Sequence, residues 1–162
     1  MMKVLKTLMI PAFLCLSAAV QAAGNGVMVE DPWIREAPPT SKAMAGYMVL
    51  HNHGENERAL VAAQSPAYDN VMLHRTIVED GLAKMVHQMK VTIPAGGSVT
   101  FEPKGYHLML MKPKQALKAG EKVPVTLEFA NGEKMELMYE VRPGGSMGGM
   151  SGEKMDHSSM SH

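Results

Sequence analysis

Cysteine is all but missing from this chain. The single one, Cys15, lies in a short apolar run near the N-terminus, and none follows it. Beyond that run a disulfide framework and a cysteine nucleophile are excluded, and no Gly-x-Ser-x-Gly is present to suggest a serine hydrolase. No sustained helical period is found, and no hydrophobic span able to cross a bilayer occurs after residue 22. Charge of one sign is lacking as well. Sixteen Lys+Arg balance sixteen Asp+Glu, and loss of Lys3 and Lys6 with a leader leaves 14 against 16. That balance gives no electrostatic case for nucleic acid or an anionic membrane surface.

The leader itself is legible. Lys3 and Lys6 form a basic start, Leu8–Val20 is a 13-residue apolar run broken by Pro11, and Val20-Gln21-Ala22 offers small residues for cleavage. The run is short for a spanning helix. Leu14, not a small residue, precedes Cys15, so lipidation is not expected. Residues 1–22 are therefore expected to be a cleaved signal peptide, and the remainder an exported periplasmic protein. Cleavage leaves 140 residues, enough for one domain with a core, expected over 23–143.

From Val27 to Arg142, short apolar or alternating segments are cut by turn residues. Strands are expected at Val27–Glu30 and Trp33–Arg35 around Asp31-Pro32, and at Tyr47–Asn52, Arg58–Gln64, Val71–Val78 and Leu82–Val91. Ser98–Phe101, Tyr106–Met111, Val123–Phe129 and Lys134–Val141 follow. Asp80-Gly81 and Asn131-Gly132 read as two-residue hairpin turns. About eight or nine strands without a long helix predict an all-β domain, an antiparallel sandwich or a Greek-key barrel.

What the chain has in quantity is methionine, 17 residues, alongside 7 histidines, and the two types alternate with leucine in Gly105-Tyr-His-Leu-Met-Leu-Met111. As a strand, this stretch sends His107, Met109 and Met111 to one face and Leu108 and Leu110 to the other. One face is hydrocarbon; the other is an imidazole beside thioethers, the ligands soft Cu(I) prefers where thiolate is missing. Taken alone, the stretch reads more simply as a core strand, since methionine fills irregular cores well. The hairpin at Asp80-Gly81 adds to it. A two-residue loop there pairs Glu79 with Leu82, sets His74 opposite His87, and leaves Met85 diagonal to His74 on the same face, roughly 7–8 Å away. A three-residue loop would send Met85 to the other face.

If a further strand brings His107 and Met109 alongside, two imidazoles and two thioethers share one patch. Such a set suits Cu(I). Zinc favours thiolate or carboxylate company, and Mg or Ca needs oxygens. Met72 is expected to line the patch, His87 and Met89 to sit at its surface or support it, with His87 in reserve as a ligand, and Met111 to pack into the core. Met44 and Met48 read as core or rim, Trp33 as core, and His51 and His53 as exposed loop histidines.

After Arg142-Pro143 the composition changes. Gly144 to His162 has no apolar residue except methionine and cannot bury enough surface to fold alone. A disordered tail is expected, along which Met147, Met150, Met155, His157, Met160 and His162 read as secondary metal-collecting groups.

His74, ten residues, Met85, twenty-one residues, then His107-x-Met109 resembles the motif of the periplasmic copper chaperones of the PCu(A)C family. Ile93-Pro-Ala-Gly-Gly97, the Gly105–Met111 stretch and Leu117-Lys-Ala-Gly-Glu121 agree with it. The resemblance implies a cupredoxin-like β-barrel holding Cu(I) through His74, Met85, His107 and Met109. It also implies delivery of copper toward cytochrome c oxidase assembly, with the oxidase CuA subunit and a Sco-like protein as partners. A Met/His-rich extension in such proteins is implied to take extra copper, here with Cu(II) as a candidate form at the tail. Two features depart from the pattern: Arg75 follows His74 where some relatives carry Met, and His51-Asn-His53 stands where plain polar residues are expected.

No enzymatic activity is expected. An electron-transfer cupredoxin would need a Cys thiolate. The alternative reading is a periplasmic copper-sequestering resistance protein, which retains the ion instead of passing it on. Removal of residues 144–162 should lower the copper stoichiometry and leave one tight site; metal analysis showing unchanged stoichiometry would deny the tail any share.

Overall fold

The computed structural model describes residues 26–144. The expected signal peptide at 1–22 and the tail groups Met147, Met150, Met155, His157, Met160 and His162 lie outside the described residues. Within them are ten strands and no helix: β1 (Val27–Arg35), β2 (Ala43–Asn52), β3 (Arg58–Gln64), β4 (Tyr68–Glu79), β5 (Leu82–His87), β6 (Val91–Ile93), β7 (Ser98–Phe101), β8 (Tyr106–Pro113), β9 (Lys122–Phe129) and β10 (Lys134–Arg142). They form one sheet in the order β5-β4-β8-β7-β2-β1-β10-β9-β3-β6, with β8 also paired to β2. The sheet rolls on itself, so that β3 packs beside β4 and β6 beside β2 and β7.

The period-two pattern of the sequence decides which face is inside. In β9 burial alternates residue by residue, with Val123, Val125, Leu127 and Phe129 inward. Leu50, Leu60, Ile93, Leu108, Leu110 and Val141 join them in a single core. Met44 and Met48 belong to this core as well, each offering its sulfur to a buried phenol: Tyr68 Oη donates to Met44 Sδ at 3.3 Å and Tyr139 Oη to Met48 Sδ at 2.7 Å. Burial pushes both phenols far above the ordinary tyrosine range.

The β4–β5 hairpin turns as the sequence predicts. Asp80 (φ 53°) and Gly81 (φ 75°) are both left-handed, as a type I′ turn requires, and Glu79 pairs with Leu82. Three expectations are corrected. Asn131-Gly132 is part of a three-residue loop, Ala130–Gly132, because Lys134 pairs with Glu128 and Phe129 N donates to Glu133 O at 2.9 Å; Gly132 takes the left-handed position. The single strand expected over Leu82–Val91 is two. β5 is exposed at every residue, whereas Val91 and Ile93 are core residues, so the chain leaves the outer hairpin after His87 and enters the opposite edge of the sheet. Nor is the sheet wholly antiparallel, since β1 runs parallel to β10 with Trp33 opposite Glu140.

The β1–β10 junction has its own fittings. The register of β1 against β2 slips between Glu30 and Trp33, a bulge at Asp31-Pro32 with Asp31 at φ 47°. The Arg142 guanidinium grips the Asp31 carboxylate and lies 5.6 Å over the Trp33 ring. Trp33 is therefore a half-buried cation–π partner, not a core residue. Nearby, Arg35 Nε donates to Gly144 O at 2.8 Å.

β2 and β8 approach closely: a Cβ at Gly46 would stand 3.1 Å from Leu110 Cδ1. Leu110 is fully buried, and Leu110→Ala should cost about 2–5 kcal/mol of stability, read from urea unfolding of the metal-free protein.

Candidate metal centre

The candidate residues meet on the outer face of three adjacent strands, β5, β4 and β8. Register puts them there. His74 of β4 is paired with His107 of β8 on one side and with His87 of β5 on the other. Its ring stands edge-on to both, with centroids 5.8 Å from His107 and 5.6 Å from His87. One pair further along, Met72 faces Met109. Paired residues of an antiparallel ladder share a face, so two imidazoles and two thioethers form a square: His74 beside His107, Met72 beside Met109. Leu73, Leu108 and Leu110 fill the opposite face and are buried. The ligand-bearing face thus rests on hydrocarbon that fixes its backbone.

Hydrogen bonding prepares the nitrogens. His107, 4% exposed, donates from Nδ1 to Gly105 O at 3.2 Å, while Thr76 N donates to the same carbonyl at 3.0 Å. Nε2 of His107 is then the unprotonated nitrogen, and it is buried without a partner; so is Nδ1 of His74. A backbone carbonyl that fixes the tautomer and leaves the other nitrogen's lone pair free is the usual setting of a metal-ligating imidazole. Burial, followed by the neighbouring His107 and His87, lowers the His74 pKa below the ordinary histidine value.

The four expected ligands are placed as follows. His74 and His107 are direct neighbours, and Met109 is two residues along β8 from His107 on the same face. Met85 pairs with Thr76, so it lies diagonal to His74 on β5 and is 62% exposed. His87, directly opposite His74, is exposed. Met72 is nearer to Met109 than a lining role suggested, and the signal was in the sequence: Met72-x-His74 repeats the spacing of His107-x-Met109 in reverse, which an antiparallel register brings into coincidence. Met111 is corrected. It is half-buried on the outer face opposite Asn70 and Ala43, not in the core. Arg75 points to the opposite face from His74 and lies 5.0 Å over the Tyr106 ring. His51 is also corrected: at the end of β2 it is half-buried rather than exposed, with Nε2 2.7 Å from Glu30 Oε2.

Among the described residues no group of three or more His, Cys, Asp or Glu is placed to hold a metal. An ion on this face must draw on methionine sulfur, and the donor set is accordingly soft.

Known proteins resemble this chain in sequence and in fold. The family model described as "Putative lipoprotein LpqE-like" matches residues 27–141. A relative from Leifsonia xyli subsp. xyli, "Putative lipoprotein Lxx21020", is 33% identical over 131 residues, 78% of this chain and 78% of its own. The solution structure of CuI-DR1885 from Deinococcus radiodurans matches with a TM-score of 0.58 at 32% identity, covering 77% of this chain and 83% of that one. The copper-bound PCuAC domain from PmoF2 matches in fold, with a TM-score of 0.63 at 20% identity over 74% of this chain and 94% of that one. The rolled sheet is thus an all-β, cupredoxin-like domain with the fold of the PCuAC domains. More particularly, the chain belongs to the LpqE-like family.

Because its burial disfavours the imidazolium, His74 should stay neutral to lower pH than a free histidine. An NMR titration of the metal-free protein is expected to place its midpoint below the ordinary value; a midpoint at or above it would contradict the burial described here.

Proposed function

We propose that this protein is an envelope copper chaperone whose domain, over 23–143, carries Cu(I) on the outer face of β4, β5 and β8 and passes it to an acceptor protein. The observation that carries this reading is the pair of buried, unpartnered nitrogens, His74 Nδ1 and His107 Nε2, beside the thioethers of Met72 and Met109. The solved Cu(I) form of the Deinococcus relative, at 32% identity, supports the choice of ion. His74, His107, Met109 and Met85 are the proposed ligands, with Met72 the next sulfur in line.

The residues suit carriage better than catalysis. All four ligands are neutral, so they neutralise none of the ion's charge and hold it without a deep electrostatic well. His107 is the fixed anchor, since the Gly105 carbonyl holds its ring. Met85, exposed on an edge strand, is the group that leaves first, which opens one position to an incoming ligand. Ligand exchange of this kind makes and breaks only metal–ligand bonds, consistent with a protein that is not an enzyme. The proposed acceptors are the oxidase CuA subunit and a Sco-like protein, in the periplasm after cleavage of 1–22. Among the described residues no helix is long and apolar enough to cross a membrane. The tail groups Met147, Met150, Met155, His157, Met160 and His162 are proposed to collect further copper, including Cu(II). That richness in Met and His also motivates the second reading, sequestration for copper resistance.

Anaerobic transfer separates the two. Mixing the Cu(I)-loaded protein with an apo CuA domain or an apo Sco-like protein should move copper to the acceptor; retention would favour sequestration. In the same assay His107→Ala and Met109→Ala should each weaken Cu(I) binding by more than the roughly 10–100-fold that loss of an outer hydrogen-bond partner costs. Binding should also weaken as pH falls and the imidazoles protonate. Undiminished affinity in both variants would remove this face from consideration.

A further inference from the structure

A second constellation lies on the same sheet face but at the other end of β2. His51 and His53 present parallel rings, 6.2 Å between centroids and 17° apart in plane. Across the β1–β2 ladder His51 is paired with Met28, which is 50% exposed, and on its other side with Ser98 of β7. Glu30, one step along β1 on the same face, holds His51 Nε2 at 2.7 Å. The Cu(I) face described above uses none of these groups.

We infer that His51 and His53 form a second copper site, selective for Cu(II), in which Glu30 orients His51. The carboxylate accepts the Nε2 proton of His51 and thereby leaves Nδ1 unprotonated, the arrangement in which an outer carboxylate sets the tautomer of a metal-binding imidazole. Glu30 therefore acts as a positioning group, and the ligands are two imidazoles with water. Two metal–nitrogen bonds of about 2.0–2.1 Å span at most about 4 Å between nitrogens, so the rings must close from their present separation. His53 can do this. Its side chain is exposed, while its backbone is fixed: its N–H reaches Gly26 O at 3.3 Å. The preceding Asn52 is buried and donates to Asn56 O, Ile93 O and Pro94 O while accepting from Gly54 N. A rotation about the His53 side chain alone brings the pair together, without loss of strand pairing.

The preference for Cu(II) follows from the donors. Imidazole nitrogen with water and a carboxylate nearby is a harder set than the imidazole–thioether square, and among divalent first-row ions such sites bind Cu(II) most tightly. The two sites are well separated. Ala45, the β2 partner of Met109, and His51 are six residues apart along one face of β2, about 20 Å at the rise of an extended strand. Each therefore binds independently of the other.

The test is NMR of the full-length, untagged protein with substoichiometric Cu(II), whose paramagnetism broadens amides near the ion. Broadening should appear first at residues 26–30, 51–54 and 97–98. It should be lost from that region in the His51→Gln/His53→Gln double variant, and Glu30→Gln should weaken Cu(II) roughly 10–100-fold. Both substitutions are on the sheet surface, and an unchanged spectrum in the absence of metal certifies the fold. Broadening confined to the β4–β8 face or to the tail would overturn the assignment, as would broadening near His51 that survives the double variant.

Discussion

The pairing of β4 with β8 is the constraint on which the rest depends. It sets His74 against His107 and Met72 against Met109, and a slip of either strand by one residue would turn its own pair toward the core and its leucines toward water. That slip is opposed by the whole hydrocarbon underside. Leu73, Leu108 and Leu110 are at most 3% exposed, and each side chain turned outward would forgo about 1.5–3 kcal/mol. The alignment of imidazoles and thioethers on one face is thus enforced by the ordinary hydrophobic burial of the other.

The same arrangement has a cost that the metal-free protein bears. Two ring nitrogens are buried without partners, and an unsatisfied buried acceptor costs about 1–3 kcal/mol. Binding an ion at those nitrogens removes the penalty, which turns a defect of the empty face into part of its affinity. Thioethers make weaker demands, because sulfur is nearly indifferent to leaving water. A face of nitrogen and sulfur is therefore tolerable when empty and selective when filled, whereas a carboxylate face would be neither.

Much of this was legible in the residues. Asp80-Gly81 fixes a two-residue loop, and from it the pairing of His74 with His87 follows by counting. The alternation in Tyr106–Met111 separates ligands from leucines. Other features were not legible, and for identifiable reasons. The β4–β8 pairing joins segments separated by the whole of β5, β6 and β7, so no local signal specifies it, and the nearness of Met72 to Met109 was hidden with it. Leu82–Val91 looked continuous because apolar periodicity does not reveal that Leu82 through His87 are exposed while Val91 and Ile93 are buried. Asn131-Gly132 carries the residues of a two-residue turn, yet its glycine serves equally as the left-handed position of a longer loop. His51 was read as exposed because nothing local shows that Glu30, from the neighbouring β1, reaches its ring.

The parallel pairing of β1 with β10 sets the two exits of the domain apart. Val27, at the start of β1, lies level with Asn52, beside the His51 end of the sheet. Arg35, at its close, lies level with Arg142 and Ala45, and Ala45 is the neighbour of Met109. Seven steps of β2, from Asn52 to Ala45, separate these levels, about 24 Å. Whatever precedes Val27 is rooted a barrel's length from the Cu(I) face. Gly144, pinned by the Arg35 side chain, marks the opposite end, the one at which Ala45 meets Met109.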